Sequence, residues 1–251
     1  WLDADQAVAI FTVDPRREPL HHTLLVDLTT LAITDLGSSA YGNFPVSVNA
    51  DQSQIILADG YTAGDSVLYH WQRGAGQRTS LYGLPLEQRT PGQTVPLTGF
   101  SAGAFTPANQ LLLTTALFTD SYGLGYLRLD APSQVHPVTI AGLRHQGVGE
   151  LVNLKPCYDS HYLLIYNIDG CSWAYEGIFD ETALTFTVTR VLCGEGVLQN
   201  GVLEAMEREK ESGRYVLAFS TATTPAQVYL VEPDDQVIAQ TQERLLGLDA
   251  M

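Results

Sequence analysis

The sequence predicts an all-β chain, a β-propeller of about five four-stranded antiparallel blades or part of a seven-bladed one. Five times, an apolar strand follows a turn rich in Asp, Asn, Pro or Gln. These strands start at residues 7, 54, 111, 162 and 215, so the repeat is 47 to 57 residues long. The chain also has 22 Gly and 12 Pro but only 16% charged residues, which favours many short strands joined by tight turns.

Each module reads as four strands with two apolar faces, so neighbouring modules must pack face to face around a shared axis. The strand after each turn is expected at Ala7–Phe11, Gln54–Ala58, Leu111–Thr115, Tyr162–Tyr166 and Tyr215–Phe219. A second strand follows at Thr23–Leu28, Val67–Gln72, Gly125–Asp130, Trp173–Asp180 and Val228–Glu232. Outer strands follow at Ala32–Leu36, Thr79–Gly83, Val135–Ile140, Phe186–Leu192 and Val237–Thr241. Inner strands precede the last four modules at Pro45–Val48, Gly103–Phe105, Gly149–Leu154 and Gly201–Ala205.

One propeller domain therefore covers residues 1–241, with modules at about 1–37, 44–83, 102–142, 147–193 and 200–241. Only Trp1–Gln6 precede the second strand of the first module, so we expect its inner strand to lie upstream of residue 1. The alternative is that Arg244–Leu248 supplies the missing strand and closes the ring. Val202–Ser212 has helical propensity and alternating charges, but its place in the repeat predicts a strand and a charged hairpin tip.

Two residue types recur at fixed places in the modules. Three inner strands begin at or near a glycine, as expected where backbones crowd together: Gly103, Gly149 and Gly201. Four second strands end near a carboxylate that can close a turn by accepting backbone N–H groups: Asp27, Asp130, Asp180 and Glu232.

The formal net charge of −15 argues against nucleic acid or an anionic membrane as a partner, because phosphate groups would be repelled. No apolar run is long enough for a transmembrane helix. The three cysteines, Cys157, Cys171 and Cys193, have neither zinc-site nor disulfide-scaffold spacing, so we expect inert thiols. A cytoplasmic protein without cofactor is the expectation.

One stretch matches the nucleophile elbow of serine hydrolases, Gly-x-Ser-x-Gly, at Gly99–Gly103 with Ser101 in the centre. An elbow needs a helix after the serine, whereas Pro107 and the blade turn at Asn109 follow here. We therefore expect Ser101 to be structural and a serine-reactive fluorophosphonate to leave the chain unlabelled.

The other candidate residues also lack a recognisable pattern. No histidine has the spacing of a metal ligand: His21, His22, His70, His136, His145 and His161. Five-bladed glycosidases hold carboxylates on inner strands, and Asp51, Glu150 and Glu204 lie on or near such strands, but at different offsets. The sequence therefore predicts no catalytic, cofactor-binding or metal residue, and it leaves substrate-binding residues open.

Several segments resemble the propeller of prolyl-oligopeptidase-family serine peptidases, acylaminoacyl-peptidase-like members included, and the related TolB-type repeats. The repeats that carry the resemblance are Asn49–Gln52 with Leu68-Tyr69, Phe105–Asn109 with Tyr126–Asp130, and Val228–Val231. The more distinctive part is the closing stretch, Ser212–Thr221, Thr224–Leu230 and Glu243–Gly247. In that family such a stretch is the last blade before an α/β-hydrolase domain.

The resemblance implies an accessory role, in which the propeller caps the hydrolase active site and admits short peptides. It implies that residues 242–251 form a linker and that the catalytic Ser, Asp and His belong to a domain after Met251. Family members have seven blades where five modules are visible here. A free-standing propeller that binds a peptide or protein partner is the alternative, and a five-bladed glycosidase is a further one.

Overall fold

The computed structural model describes residues 1–95, 97–235 and 237–240 of the chain. The strands of this part of the chain form five sheets, four with four strands and one with five. The chain divides into two compact units, unit 1 at residues 1–138 and unit 2 from residue 139 onward.

Unit 1 contains three antiparallel sheets in which each strand pairs with the next along the chain. Sheet 1 consists of β1 (Leu2–Asp3), β2 (Val8–Val13), β3 (His21–Asp27) and β4 (Ile33–Ser39). Sheet 2 consists of β5 (Phe44–Val48), β6 (Gln54–Thr62), β7 (Asp65–Gln72) and β8 (Thr79–Tyr82). Sheet 3 consists of β9 (Phe100–Phe105), β10 (Leu111–Thr115), β11 (Gly123–Leu127) and β12 (Val135–Pro137). A 3-10 turn, Leu86–Gln88, lies between sheets 2 and 3.

Unit 2 contains the other two sheets. Sheet 4 consists of β13 (Thr139–Ala141), β14 (Gly149–Tyr158), β15 (His161–Ile168), β16 (Cys171–Asp180) and β17 (Thr185–Cys193). Sheet 5 consists of β18 (Gly201–Arg208), β19 (Tyr215–Thr221), β20 (Gln227–Val231) and β21 (Val237–Gln240). A 3-10 turn at Gly196–Leu198 connects the two sheets. The meandering four-stranded sheets of both units confirm the prediction of an all-β propeller built from blades.

Both faces of sheet 2 are buried, as the blade prediction requires. Ile55 and Leu57 pack on one face against Ile10 of sheet 1. Ile56 packs on the other face against Leu113 of sheet 3. All five side chains are at most 2% exposed, and full burial of such a side chain contributes about 1.5–3 kcal/mol. Contact between adjacent apolar sheet faces therefore holds unit 1 together.

The same face-to-face packing joins the two sheets of unit 2. Tyr215 and Phe219 of sheet 5 share one buried cluster with Leu163 and Leu192 of sheet 4. Tyr215 is fully buried, although its ring carries a hydroxyl group. The apolar stripes that repeat along the sequence therefore pack between neighbouring blades in both units.

The repeated turns contain a common backbone feature. A residue in the left-handed region, with φ between 46° and 74°, lies in each of the five turns: Ala7, Gln52, Asn109, Asp159 and Gly213. In four of these turns a side chain also accepts a backbone N–H group, and the accepting residues are Asp3, Asn49, Thr106 and Glu209. Asn, Asp and Gly tolerate this conformation best, which accounts for Asn109, Asp159 and Gly213 but not for Ala7 and Gln52.

The prediction of a single outer strand at Val135–Ile140 is wrong, because the structure has two strands there. The chain divides at Val138: β12 ends at Pro137, and β13 pairs in parallel with β17 of sheet 4. Pro137 has no N–H group to continue the sheet ladder, which favours a break there. Sheet 4 therefore has a fifth strand and one parallel pair, so it is not a purely antiparallel blade.

Three further predictions concern the inner strand of sheet 1, the segment Val202–Ser212 and the carboxylates near the ends of the second strands. The two-residue strand β1 pairs with β2 at the inner position of sheet 1, which the sequence predicted to be empty. Val202–Ser212 is strand and turn as predicted, because β18 extends to Arg208. Asp27 and Asp180 each accept two backbone N–H groups, whereas Asp130 and Glu232 bind arginines instead.

Some sequence predictions lie outside the described residues, namely Thr241, the linker at 242–251 and ring closure by Arg244–Leu248. Within the described part of the chain, no helix has the length and apolar character needed to cross a membrane.

Candidate functional site

Ser101 lies on β9, and its surroundings differ from those of a nucleophile elbow. Its hydroxyl group shares a 2.9 Å hydrogen bond with Thr114 Oγ1, which also accepts the backbone N–H of Ala102 at 2.9 Å. The strand continues to Phe105, and a turn leads into β10. Because no helix N-terminus follows, Ser101 is not on the strained strand-to-helix turn that activates a serine in hydrolases.

The six histidines make different contacts from one another. Within the described residues, no three His, Cys, Asp or Glu side chains are placed to hold a metal ion. Three histidines contact a polar side chain at 2.8–3.0 Å: His22 with Glu18, His70 with Gln54 and His145 with Tyr175. Two stand next to rings, His21 with Phe44 and His161 with Tyr158. The last, His136, lies on β12.

His145 is the histidine with the most contacts. Its ring lies 4.8 Å from Tyr166 and 5.8 Å from Trp173, centroid to centroid. The Tyr175 hydroxyl accepts the backbone N–H of His145 at 3.0 Å and lies 2.8 Å from its Nδ1. Burial lowers the pKa of His145, so the neutral ring is favoured. These contacts hold the connection before β14 against sheet 4.

The three carboxylates of the glycosidase alternative occupy different structural positions. Asp51 lies in the turn before β6 and accepts bonds from Ser53. Glu150 is the second residue of β14, whereas Glu204 is the fourth residue of β18 and accepts a 2.7 Å bond from Ser220. Asp51 belongs to unit 1 and the other two to unit 2.

The structure also contains two buried ion pairs that the sequence reasoning missed. In unit 1 Arg78 binds Asp59 through two parallel bonds of 3.0 and 2.9 Å. In unit 2 Glu176 lies 3.4 Å from Arg190 and accepts a 2.9 Å bond from Tyr158. The sequence signal for these pairs was a carboxylate in the interior of a strand with apolar or glycine neighbours, at Asp59 of β6 and Glu176 of β16.

A sizeable cavity lies in each unit. The larger, of about 450 Å³, lies beside β17 over Val191 and Leu198, and it is edged by Arg144 and Arg190. These arginines are already paired, Arg144 with Glu195 at 3.1 Å and Arg190 with Asp235 at 2.7 Å. The smaller, of about 340 Å³, lies in unit 1 beside Tyr82 and Thr98.

The three cysteines are free thiols. Cys193 is buried, and its Sγ lies 3.4 Å from the Ser172 carbonyl, while Cys157 Sγ lies 3.8 Å from the Tyr215 hydroxyl. Burial raises the pKa of Cys157 to about 11 and that of Cys193 to about 12. Both thiols are therefore protonated near neutral pH, because desolvation disfavours the thiolate.

We expect Cys157 and Cys193 to react slowly with iodoacetamide. At pH 8 the raised pKa of Cys157 makes its thiolate, the reactive form, roughly a hundredfold scarcer than in an ordinary thiol. Alkylation is followed by peptide mass spectrometry, with the same protein in concentrated urea as the control. Equal rates for Cys157 in the folded and the urea-unfolded protein would contradict the expectation.

Comparison with solved structures shows the class of fold, a β-propeller. Prolyl oligopeptidase B from Galerina marginata matches with a TM-score of 0.64 at 10% identity, over 94% of this chain and 32% of that one. TolB from Acinetobacter baumannii matches with 0.57 at 14% identity, over 94% and 53%. An oligogalacturonate lyase in complex with manganese matches with 0.62 at 12% identity, over 95% and 62%. Prolyl endopeptidases, dipeptidyl peptidase 4 and puromycin hydrolase are also among the matches.

These likenesses confirm the resemblance in fold to TolB and to the propellers of prolyl-oligopeptidase-family peptidases. The chain spans about a third to two thirds of the length of the three structures compared above. No protein-family model and no curated protein matches the sequence. At identities of 9–14% the solved structures establish the fold alone.

Proposed function

We propose that this chain is the non-catalytic propeller of a serine peptidase, and that it caps and gates the active site of an α/β-hydrolase domain. The observation that carries the proposal is the fold likeness to prolyl oligopeptidase B, which extends over 94% of this chain but only 32% of that chain. The closing stretch, Ser212–Thr221 and Thr224–Leu230, adds support because it resembles the final blade of such peptidases.

In this proposal the blades supply a rigid frame and the chemistry belongs to the hydrolase domain. Short peptides are the substrates of the whole protein, which is located in the cytoplasm. The propeller limits which substrates reach the catalytic serine by keeping out large folded proteins. No catalytic residue is assigned to this chain.

The test uses the protein in its native reading frame. We expect a fluorophosphonate to label it within a hydrolase domain and to leave residues 1–251 unlabelled. We also expect it to cleave peptides of a few residues and to spare a folded protein that contains the same cleavable sequence. Peptide mapping locates the label, and Ser101→Ala serves as the matched control.

Three outcomes contradict the proposal. A stop codon soon after Met251 would favour a free-standing propeller that binds a peptide or protein partner. Stoichiometric labelling that Ser101→Ala abolishes would assign the chemistry to this chain. Cleavage of glycosidic bonds, lost when Glu150 or Glu204 is replaced by Gln, would favour the glycosidase alternative.

A further inference from the structure

Two basic side chains differ from the others in the part of this acidic chain that the structure describes. Arg16 and Arg17 are adjacent and exposed, and within the described residues neither guanidinium group makes an ion pair, hydrogen bond or ring contact. Seven other basic residues bind carboxylates, namely Arg78, Arg89, Arg128, Arg144, Lys155, Arg190 and Arg214. Arg73 donates to a backbone carbonyl, and Arg208 lies over the ring of Tyr158.

The two arginines lie in the hairpin between β2 and β3, whose own carboxylates have other partners. Asp14 Oδ1 accepts the backbone N–H of Arg16 at 2.8 Å. Glu18 Oε1 lies 3.0 Å from His22 Nε2. Neither carboxylate forms an ion pair with Arg16 or Arg17, so both guanidinium groups are open to a carboxylate from outside the chain.

Three features restrict the backbone of the hairpin loop. Pro15 and Pro19 fix two φ angles, and the bond from Arg16 N to Asp14 closes a tight turn. Arg16 itself has a left-handed φ of 56°. Because the backbone is restricted beforehand, less conformational entropy is lost on binding.

Exposed apolar side chains lie on β2, the strand that leads into the loop with the two arginines. Phe11 and Val13 are 51% and 40% exposed, and they share one face of β2 because alternate residues of a strand point the same way. Leu24 of β3 is the residue directly opposite Phe11. The hairpin thus has two unpaired cations in its loop and exposed apolar side chains on the strand that leads into that loop.

We propose that this hairpin binds an acidic peptide segment. Carboxylates of the peptide bind Arg16 and Arg17, and an apolar side chain between them packs on Phe11 and Val13. A nucleic acid fits less well, because the net charge of −15 repels a long polyanion while a short peptide needs only two local contacts. The site does not depend on the proposed peptidase role.

The test uses this chain alone and a fluorescent peptide of sequence Glu-Leu-Glu-Leu-Glu, followed by fluorescence anisotropy. We expect saturable binding that weakens about tenfold or more in the double variant Arg16→Gln/Arg17→Gln, because charge-assisted bonds to both residues are lost. The matched control is Arg128→Gln/Arg144→Gln, which removes two exposed arginines with internal partners and leaves binding unchanged. Phe11→Ser weakens binding several-fold.

Circular dichroism and thermal unfolding show whether each variant keeps its fold. The proposal is rejected if the wild-type chain shows no saturable binding, or if the Gln-Leu-Gln-Leu-Gln peptide binds equally well. It is also rejected if both double variants weaken binding to the same extent, or if single-stranded DNA displaces the peptide at equal charge. Because no hydrolase domain takes part, these outcomes leave the proposed function untouched.

Discussion

Replacing Asp59 by Ala is expected to lower the free energy of unfolding by about 3–5 kcal/mol, because it leaves the buried Arg78 without its counter-ion. The side chains of Asp59 and Arg78 are only 3% and 14% exposed. Asp59 also accepts the backbone N–H of Asn43 at 2.9 Å, so the same carboxylate links sheet 2 to the segment after sheet 1. The loss therefore affects two elements of unit 1 together.

Urea unfolding followed by circular dichroism measures the change, with Asp130→Ala as the matched control. Asp130 also pairs with an arginine, Arg128 at 2.6 Å, but these side chains are 60% and 54% exposed. An exposed pair of this kind contributes about 0–1 kcal/mol. If Asp59→Ala costs no more than the control, the buried pair does not stabilise unit 1 in the way the geometry indicates.

Replacing Gly149 or Gly201 by Ala is expected to destabilise the chain by about 3 kcal/mol each, the upper end of the usual cost of overpacking. A Cβ at Gly149 would overlap the carbonyl oxygen of Asn167, and one at Gly201 would overlap that of Ser220. Both carbonyls belong to the neighbouring strand of the same sheet, so neither can move without disturbing the ladder. The steric conflict must be relieved by shifting a strand.

The control for both glycines is Gly123→Ala. Gly123 is likewise the first residue of a strand, but no atom lies within 4 Å of the position that an alanine Cβ would occupy there. We expect this replacement to change the free energy of unfolding by about 0.5 kcal/mol or less. Equal unfolding midpoints for Gly149→Ala, Gly201→Ala and Gly123→Ala would show that crowding at the inner strands is relieved at no cost.

The strands were predictable because their signals are local. Leu111–Thr115 is a strand with the bounds that the sequence predicts, and Gln54–Ala58 lies within the longer β6. A run of apolar residues after a turn is enough to predict such a strand. A strand that is buried on both faces is apolar throughout, whichever strand it pairs with. The glycines that begin β14 and β18 were also predicted, whereas the cause of their crowding, a carbonyl of the adjacent strand, was not.

The candidate site was predictable to a smaller extent. The sequence context of Ser101 predicted a strand and turn in place of an elbow, and β9 confirms that local structure. The exposed Arg16 and Arg17 could not be singled out, because their distinction depends on where Asp14 and Glu18 point.

The sequence by itself predicted the repeat and most of the strands, since each strand depends on residues within one hairpin. Only the tertiary structure decided that β13 leaves its module to pair with β17, that Asp59 binds Arg78, and which cations stay unpaired. The physical reason is that ion pairs and strand exchange depend on distances between residues far apart in the chain. Local residue preferences determine the backbone conformation of each hairpin. They do not determine which distant residues its side chains contact.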